Sequence, residues 1–237
     1  MNKSIAFILG ICLIISANII GSYFFNARKS VNTIKVVGYA SNEYDSDILK
    51  WQISLSTTAS IKNLANGYAT LNNDIQSVKD FLASKNLNTN DIQINSAYSY
   101  PNYNRDGEIT NYTFEQSIAY TSNDSTNFKL IEEIAYNFTE LAEKGINIRN
   151  SNVEYFISAL PELKKEIISE ATKDARERAL QVANTTKTKL GKLINGRVGV
   201  FQITAPLSTE VQSYGIYNTS TRRKQISVTM TGVFELK

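Results

Sequence analysis

Between Ile5 and Phe25 the chain is apolar throughout, interrupted only by small residues, Cys12 and Asn18. At 1.5 Å of rise per residue, about 20 such residues cross a bilayer, so this stretch constrains the chain first: it predicts a transmembrane helix. The apolar region of a cleaved signal peptide is typically about 7–15 residues and ends at a small-x-small site. This run is longer, and its best cut, after Ala17, has Ile15 where a small residue is wanted. A retained anchor over residues 1–30 and one domain over 31–237 are therefore expected. Cys12 follows Leu9-Gly10-Ile11, with a bulky isoleucine directly before it, and reads as a lipid-facing cysteine rather than a lipidated one. Lys3 flanks one end of the run, while Arg28, Lys29 and Lys35 flank the other. The positive-inside rule alone would leave the domain in the cytoplasm, but long domains translocate largely regardless of such charges.

The residue inventory excludes much chemistry. The chain has no histidine, which removes Ser-His-Asp and Cys-His nucleophile systems, imidazole metal ligands and a histidine pH switch. A single cysteine forbids an intramolecular disulfide, so an exported domain must rely on its core; 42% hydrophobic content suffices for one. The net charge of +3 is spread thinly. Only Arg222-Arg223-Lys224 clusters, and it reads as a solvated strand entry, so no nucleic-acid partner is expected. Glu132-Glu133 and the Asp174/Glu177 pair read as solvated helix faces. No phosphate-binding glycine loop or calcium loop is present, and no cofactor or metal is predicted.

Beyond Thr33, strands and helices alternate. Ile34–Ala40 predicts a first strand, with a turn at Ser41-Asn42-Glu43. Leu49, Trp51, Ile53 and Leu55 then alternate with polar residues, the period of a strand buried on one face, as antiparallel sheets allow. Ile61, Leu64, Ala65, Tyr68, Leu71, Ile75, Val78 and Leu82 recur at helical spacing, with a stop near Lys85-Asn86. Ile92, Ile94, Tyr98 and Tyr100, and then Tyr112, Phe114, Ile118 and Tyr120, predict a hairpin whose turn spans Pro101–Gly107. A second helix is expected over Ser125–Lys144, with Phe128, Ile131, Ala135, Phe138 and Ala142 inward and Gly145 as its stop. A strand through Val153, Tyr155 and Ile157 comes next, followed by a third helix from Pro161 to Gly191 with Ile167, Ala171, Ala175 and Ala179 every four residues. Strands at Val198–Thr204 and Ile226–Phe234 enclose a polar loop, 206–221, long enough to be functional or disordered. The expected class is α+β: antiparallel-rich sheets covered by three main helices in two layers, plus the N-terminal membrane helix. Leu82–Asn88 also echoes Leu141–Asn147, each ending a helix and entering a strand.

In order and spacing, several of these segments resemble the SIMPL domain family of bacterial exported proteins, which includes periplasmic immunogenic and oxidative-stress-defence branches. The residues that carry the resemblance are Val37-Gly38-Tyr39-Ala40, Asp91-Ile92-Gln93, Tyr98–Tyr103, Tyr112, and the helix with Ala171, Ala175, Ala179 and Ala183 closing at Leu190-Gly191. Asn86 stands where the family usually has glycine, and Tyr44-Asp45-Ser46-Asp47 replaces its usual Pro-Asp. The resemblance implies an α+β fold, an extracytoplasmic location and self-association, and it supplies no catalytic residues.

Tyrosine joins apolar area to a polar tip and favours interfaces. Tyr100 and Tyr103 by the hairpin, with Tyr214 and Tyr217 in the 206–221 loop, are the candidate interface, while Tyr98 and Tyr112 suit ordinary sheet packing. The sequence thus points to a single-pass inner-membrane protein with its domain in the periplasm or outside the cell. That domain is read as a homo-oligomeric binding module without catalysis, acting in envelope or oxidative stress tolerance by resemblance alone. The alternatives are an extracytoplasmic hydrolase using carboxylates or a Ser-Lys pair, and a cytoplasm-facing membrane scaffold.

Overall fold

Period-two alternation at Leu49–Leu55 becomes strand β2 (Ile48–Ala59), whose Leu49, Trp51, Ile53 and Leu55 are fully buried. The computed structural model describes residues 3–28 and 32–237; Lys29 and the 30/31 domain boundary lie outside the described residues. The remaining elements are α1 (Lys3–Arg28), β1 (Thr33–Asp45), α2 (Leu64–Ser84), β3 (Ile92–Ile94), β4 (Tyr98–Tyr103), β5 (Ile109–Ser122), α3 (Phe128–Tyr136), α4 (Thr139–Glu143), β6 (Ile148–Phe156), α5 (Leu160–Thr185), β7 (Leu190–Val198), β8 (Gln202–Thr204), β9 (Ile216–Tyr217) and β10 (Arg223–Leu236). The fold is mixed α+β, with two antiparallel-rich sheets. The chain divides into two compact units, one of Ser41–Ile167 with Val200–Val228, the other of the residues up to Ala40 with Ile168–Gly199 and Thr229–Lys237.

In the first unit, strands run in the order β3-β5-β2-β6, with β4 also on β5, and every pairing is antiparallel. Helices α2, α3 and α4 supply Leu71, Ile75, Val78, Leu82, Phe128, Ile131 and Leu141 to a core with Trp51, Phe114 and Ile118. Several expectations need correction here. The first strand does not turn at Ser41-Asn42-Glu43; β1 continues to Asp45. The inward stripe of α2 starts later than its periodicity predicts, since Ile61, Leu64, Ala65 and Tyr68 are exposed. The early contact is Gly67 instead, where an added Cβ would lie 2.4 Å from the Phe114 ring. Pro101 belongs to β4, which pairs with β5 alone, as a proline without a ladder N–H requires; the turn begins at Asn104.

The helix expected over Ser125–Lys144 is broken. Asn137 adopts extended backbone, and its side chain accepts from the Thr139 N–H at 3.1 Å, starting α4 afresh. Asparagine competes with helix in this way by offering the backbone a local acceptor. The break turns Phe138 onto Trp51, with ring centroids 6.2 Å apart, and buries Leu141 in place of Ala142.

The echo between Leu82–Asn88 and Leu141–Asn147 is a shared helix stop. The Leu87 N–H donates to the Leu82 carbonyl at 3.1 Å and the Ile146 N–H to the Leu141 carbonyl at 3.1 Å, around left-handed Asn86 (φ 63°) and Gly145 (φ 79°). This is the Schellman arrangement with its apolar clasp, Leu82 and Leu87 in one copy, Leu141 and Ile146 in the other, all buried.

The second unit repeats the stop where the sequence signals it least. The third helix does not close at Gly191: α5 ends at Thr185, with the Thr188 N–H donating to the Ala183 carbonyl at 2.9 Å around left-handed Lys187 (φ 56°). Gly191 lies in β7, close against Glu235 of β10; the expected helix reached only the first two residues of this strand, and most of the rest was not predicted. Lysine at this φ is strained where glycine is not. Lys187→Gly is expected to stabilise the protein by up to about 1 kcal/mol, read as a raised denaturant midpoint at unchanged slope. The alanine row does what its spacing predicts: Ala171, Ala175, Ala179 and Ala183 are fully buried and bring α5 against β1 at Gly38.

Candidate functional site

The four candidate tyrosines stand on two elements, one pair on β4 and the other in the 206–221 loop. On β4, period two places Tyr98 and Tyr100 on one face, in register with Glu115 and Thr113 of β5. The phenol of Tyr98 donates to one Glu115 carboxylate oxygen at 2.5 Å and that of Tyr100 to the other at 2.7 Å. Arg149 pairs with the same carboxylate and also donates to the Tyr100 oxygen at 3.0 Å. Glu115 is buried, and a buried carboxylate with an ion pair and donors on both oxygens is a satisfied structural group. Tyr100 is thus a member of a clasp, stacked beside Tyr98 with centroids 6.4 Å apart. Tyr103 is exposed at the hairpin end, and Tyr112 packs on the core.

The 206–221 loop is fastened at several points. The Gln202 side chain spans Gln212, donating to its carbonyl at 2.9 Å and accepting from its N–H at 3.2 Å. The Asn218 N–H donates to the Ile203 carbonyl at 2.8 Å, and inside the loop β9 pairs parallel with β8, a strand that the polar composition hid. Gly215, at φ +86°, passes the Phe201 carbonyl so closely that a Cβ would sit 2.7 Å from its oxygen. Held this way, the loop turns Leu207 (92% exposed), Val211 (76%) and Tyr214 (99%) to solvent. Behind it lies a groove of about 420 Å³ lined by Leu160, Lys164, Phe201, Ile203, Tyr214 and Tyr217 among others. Tyr217 braces the groove: its ring meets Phe156 edge-on at 6.0 Å, and its oxygen accepts from the Ile157 N–H at 3.3 Å.

The reading of Arg222-Arg223-Lys224 as solvated fails at its third residue. Arg223 pairs with Glu43 at 2.7 Å on the surface, but Lys224 is fully buried. Its ammonium donates to the carbonyls of Asn218 (2.6 Å) and Thr221 (2.8 Å), and burial pushes its pKa down to about 8. Of the acidic pairs, Glu132 accepts the Tyr155 hydroxyl at 2.6 Å, Glu133 faces Lys129, and Asp174 pairs with Arg178 at 2.7 Å. Sequence reasoning missed Glu115, Arg149, Lys164 and Lys224. For Lys224 the missed signal is the period of β10, since Ile226, Val228 and Met230 put Lys224 on the inward face.

A family model described as SIMPL, Protein of unknown function (DUF541), matches residues 34–234. No curated protein matches the sequence. The match takes in nearly every element from β1 to β10, including Gly38 and the alanine row of α5 that carry the resemblance, and the chain belongs to the SIMPL family.

Proposed function

We propose that the chain is a single-pass membrane protein whose SIMPL domain works outside the cytoplasm as a self-assembling binding module, without catalysis. The carrying observation is the fastened loop that holds Leu207, Val211 and Tyr214 in solvent. A loop anchored by this many hydrogen bonds presents apolar side chains at low ordering cost, which favours an interface. Helix α1 supports the tether: Phe7–Phe25 has mean hydropathy 2.1 and no burial within the protein. Tethering confines copies to two dimensions and raises their effective concentration, so modest contacts suffice for assembly. The buried, ion-paired and doubly hydrogen-bonded state of Glu115 is that of a structural group, in keeping with a non-catalytic reading. A role in envelope or oxidative stress tolerance follows from the resemblance alone.

The test is the oligomer mass of the full chain in detergent by sedimentation. The triple variant Leu207→Ser, Val211→Ser, Tyr214→Ser is expected to move the distribution toward monomer by at least about tenfold in dissociation constant. An unchanged distribution rejects the loop as the interface. Protection of a carboxyl-terminal reporter from protease added to spheroplasts would reject the outward orientation.

A further inference from the structure

The groove behind the 206–221 loop combines apolar walls with positive charge alone. Phe201, Ile203, Ile216 and Tyr217 form its sides, and no aspartate or glutamate lines it. The Lys164 ammonium stands 5.2 Å from the Phe201 ring centroid, with no carboxylate in ion-pair range among the described residues. Lys224 stands behind the Tyr217 ring at 5.7 Å and adds a second cation that cannot reach solvent. Apolar walls select an alkyl chain, and an unpaired ammonium selects an anion. Lysine acts as a compact point charge, which attracts a carboxylate without demanding a bidentate geometry. At about 420 Å³ the groove sits low in the usual range for small-molecule sites, room for one chain.

We propose that this groove binds a single acyl chain with a carboxylate head, a fatty acid drawn from the bilayer that anchors α1, with Lys164 on the head and Phe201, Ile203, Ile216 and Tyr217 around the chain. The proposal rests on the reading of the domain as a binding module beside the membrane. Each further buried methylene should tighten binding roughly fourfold until the groove is filled.

The experiment places the full chain in lipid discs with a diazirine-bearing hexadecanoate, or with a probe of the same chain and a quaternary ammonium head, and maps the photolabelled peptides. Label on α1 is expected from both probes, because that helix faces lipid. Label within residues 200–217 is expected from the carboxylate probe, competed by dodecanoate, and at least about tenfold weaker from the ammonium probe. Lys164→Glu should reduce it by a similar factor, and Lys164→Arg should retain it. Label confined to α1, equal labelling by both heads, or indifference to Lys164→Glu overturns the proposal. Groove labelling together with an unchanged oligomer mass in the loop variant would overturn self-assembly and leave this site standing.

Discussion

Gly38→Ala is expected to destabilise the protein by about 3 kcal/mol, at the upper end of what one added methyl group does to a packed core. A Cβ at this position would lie 2.2 Å from the Ala171 carbonyl oxygen and 2.4 Å from the Ala175 nitrogen. Both are backbone atoms of α5, which no rotamer change moves aside, so the strand or the helix must shift. The buried row Ala171, Ala175, Ala179 and Ala183 lets the helix come this near, and that same nearness leaves no room at Gly38. Moving the helix would also strain the bond from the Tyr39 N–H to the Asp174 carboxylate, now 2.7 Å. Arg178 and that N–H together hold Asp174 below the usual carboxylate range. Gly196→Ala serves as the control: its nearest neighbour is the flexible tip of Met230 at 2.9 Å, and a cost below about 1 kcal/mol is expected. Denaturant midpoints of the two variants against the parent check both values. A Gly38→Ala loss no larger than that of Gly196→Ala would show that β1 and α5 do not meet so closely.

Much of the architecture was legible in the sequence because burial imposes a period. The alternation in β2, the alanine row of α5 and the stop at Asn86 each follow from one local rule, and the structure bears each out. The misreadings share a cause. Where a helix ends through lysine, or breaks at an asparagine whose side chain accepts the Thr139 N–H, the deciding term is a hydrogen bond rather than a composition bias. Gly191 drew the end of α5 past Lys187 because glycine is the commoner left-handed residue, while here it is needed for closeness to Glu235. The candidate site was legible in part. Tyr214 and Tyr217 do line one groove, but Lys164 and Phe201 reach it from α5 and the segment before β8, a meeting no linear pattern records. The polar tip of Tyr100 is held by Glu115, a partner 15 residues away that its own position in the sequence does not reveal.

Lys224→Met is expected to change how stability depends on pH between about 8 and 10.5. In the folded chain the Lys224 pKa falls from 10.5 to about 8 because the ammonium is buried without a carboxylate partner. Below about pH 8 both states are protonated, and the folded state bears the full desolvation penalty. Between about 8 and 10.5 the unfolded chain binds more protons than the folded one, so stability rises with pH across that window. The span from about 8 to 10.5, at about 1.4 kcal/mol per pH unit, sets the rise near 3 kcal/mol. Methionine matches the length of lysine and does not titrate, so the parent should gain on the variant by that amount, most of it by pH 10. The carbonyls of Asn218 and Thr221 lose their donor at every pH in the variant, which offsets the curve without tilting it. Groups shared by both proteins cancel in the difference. Unfolding free energies of the full chain at intervals from pH 7 to 10 measure the tilt directly. A constant gap would mean that Lys224 meets water and that the 206–221 loop is not closed over a buried ammonium; a rising gap would identify the loop's anchor as a cation kept at a cost in stability.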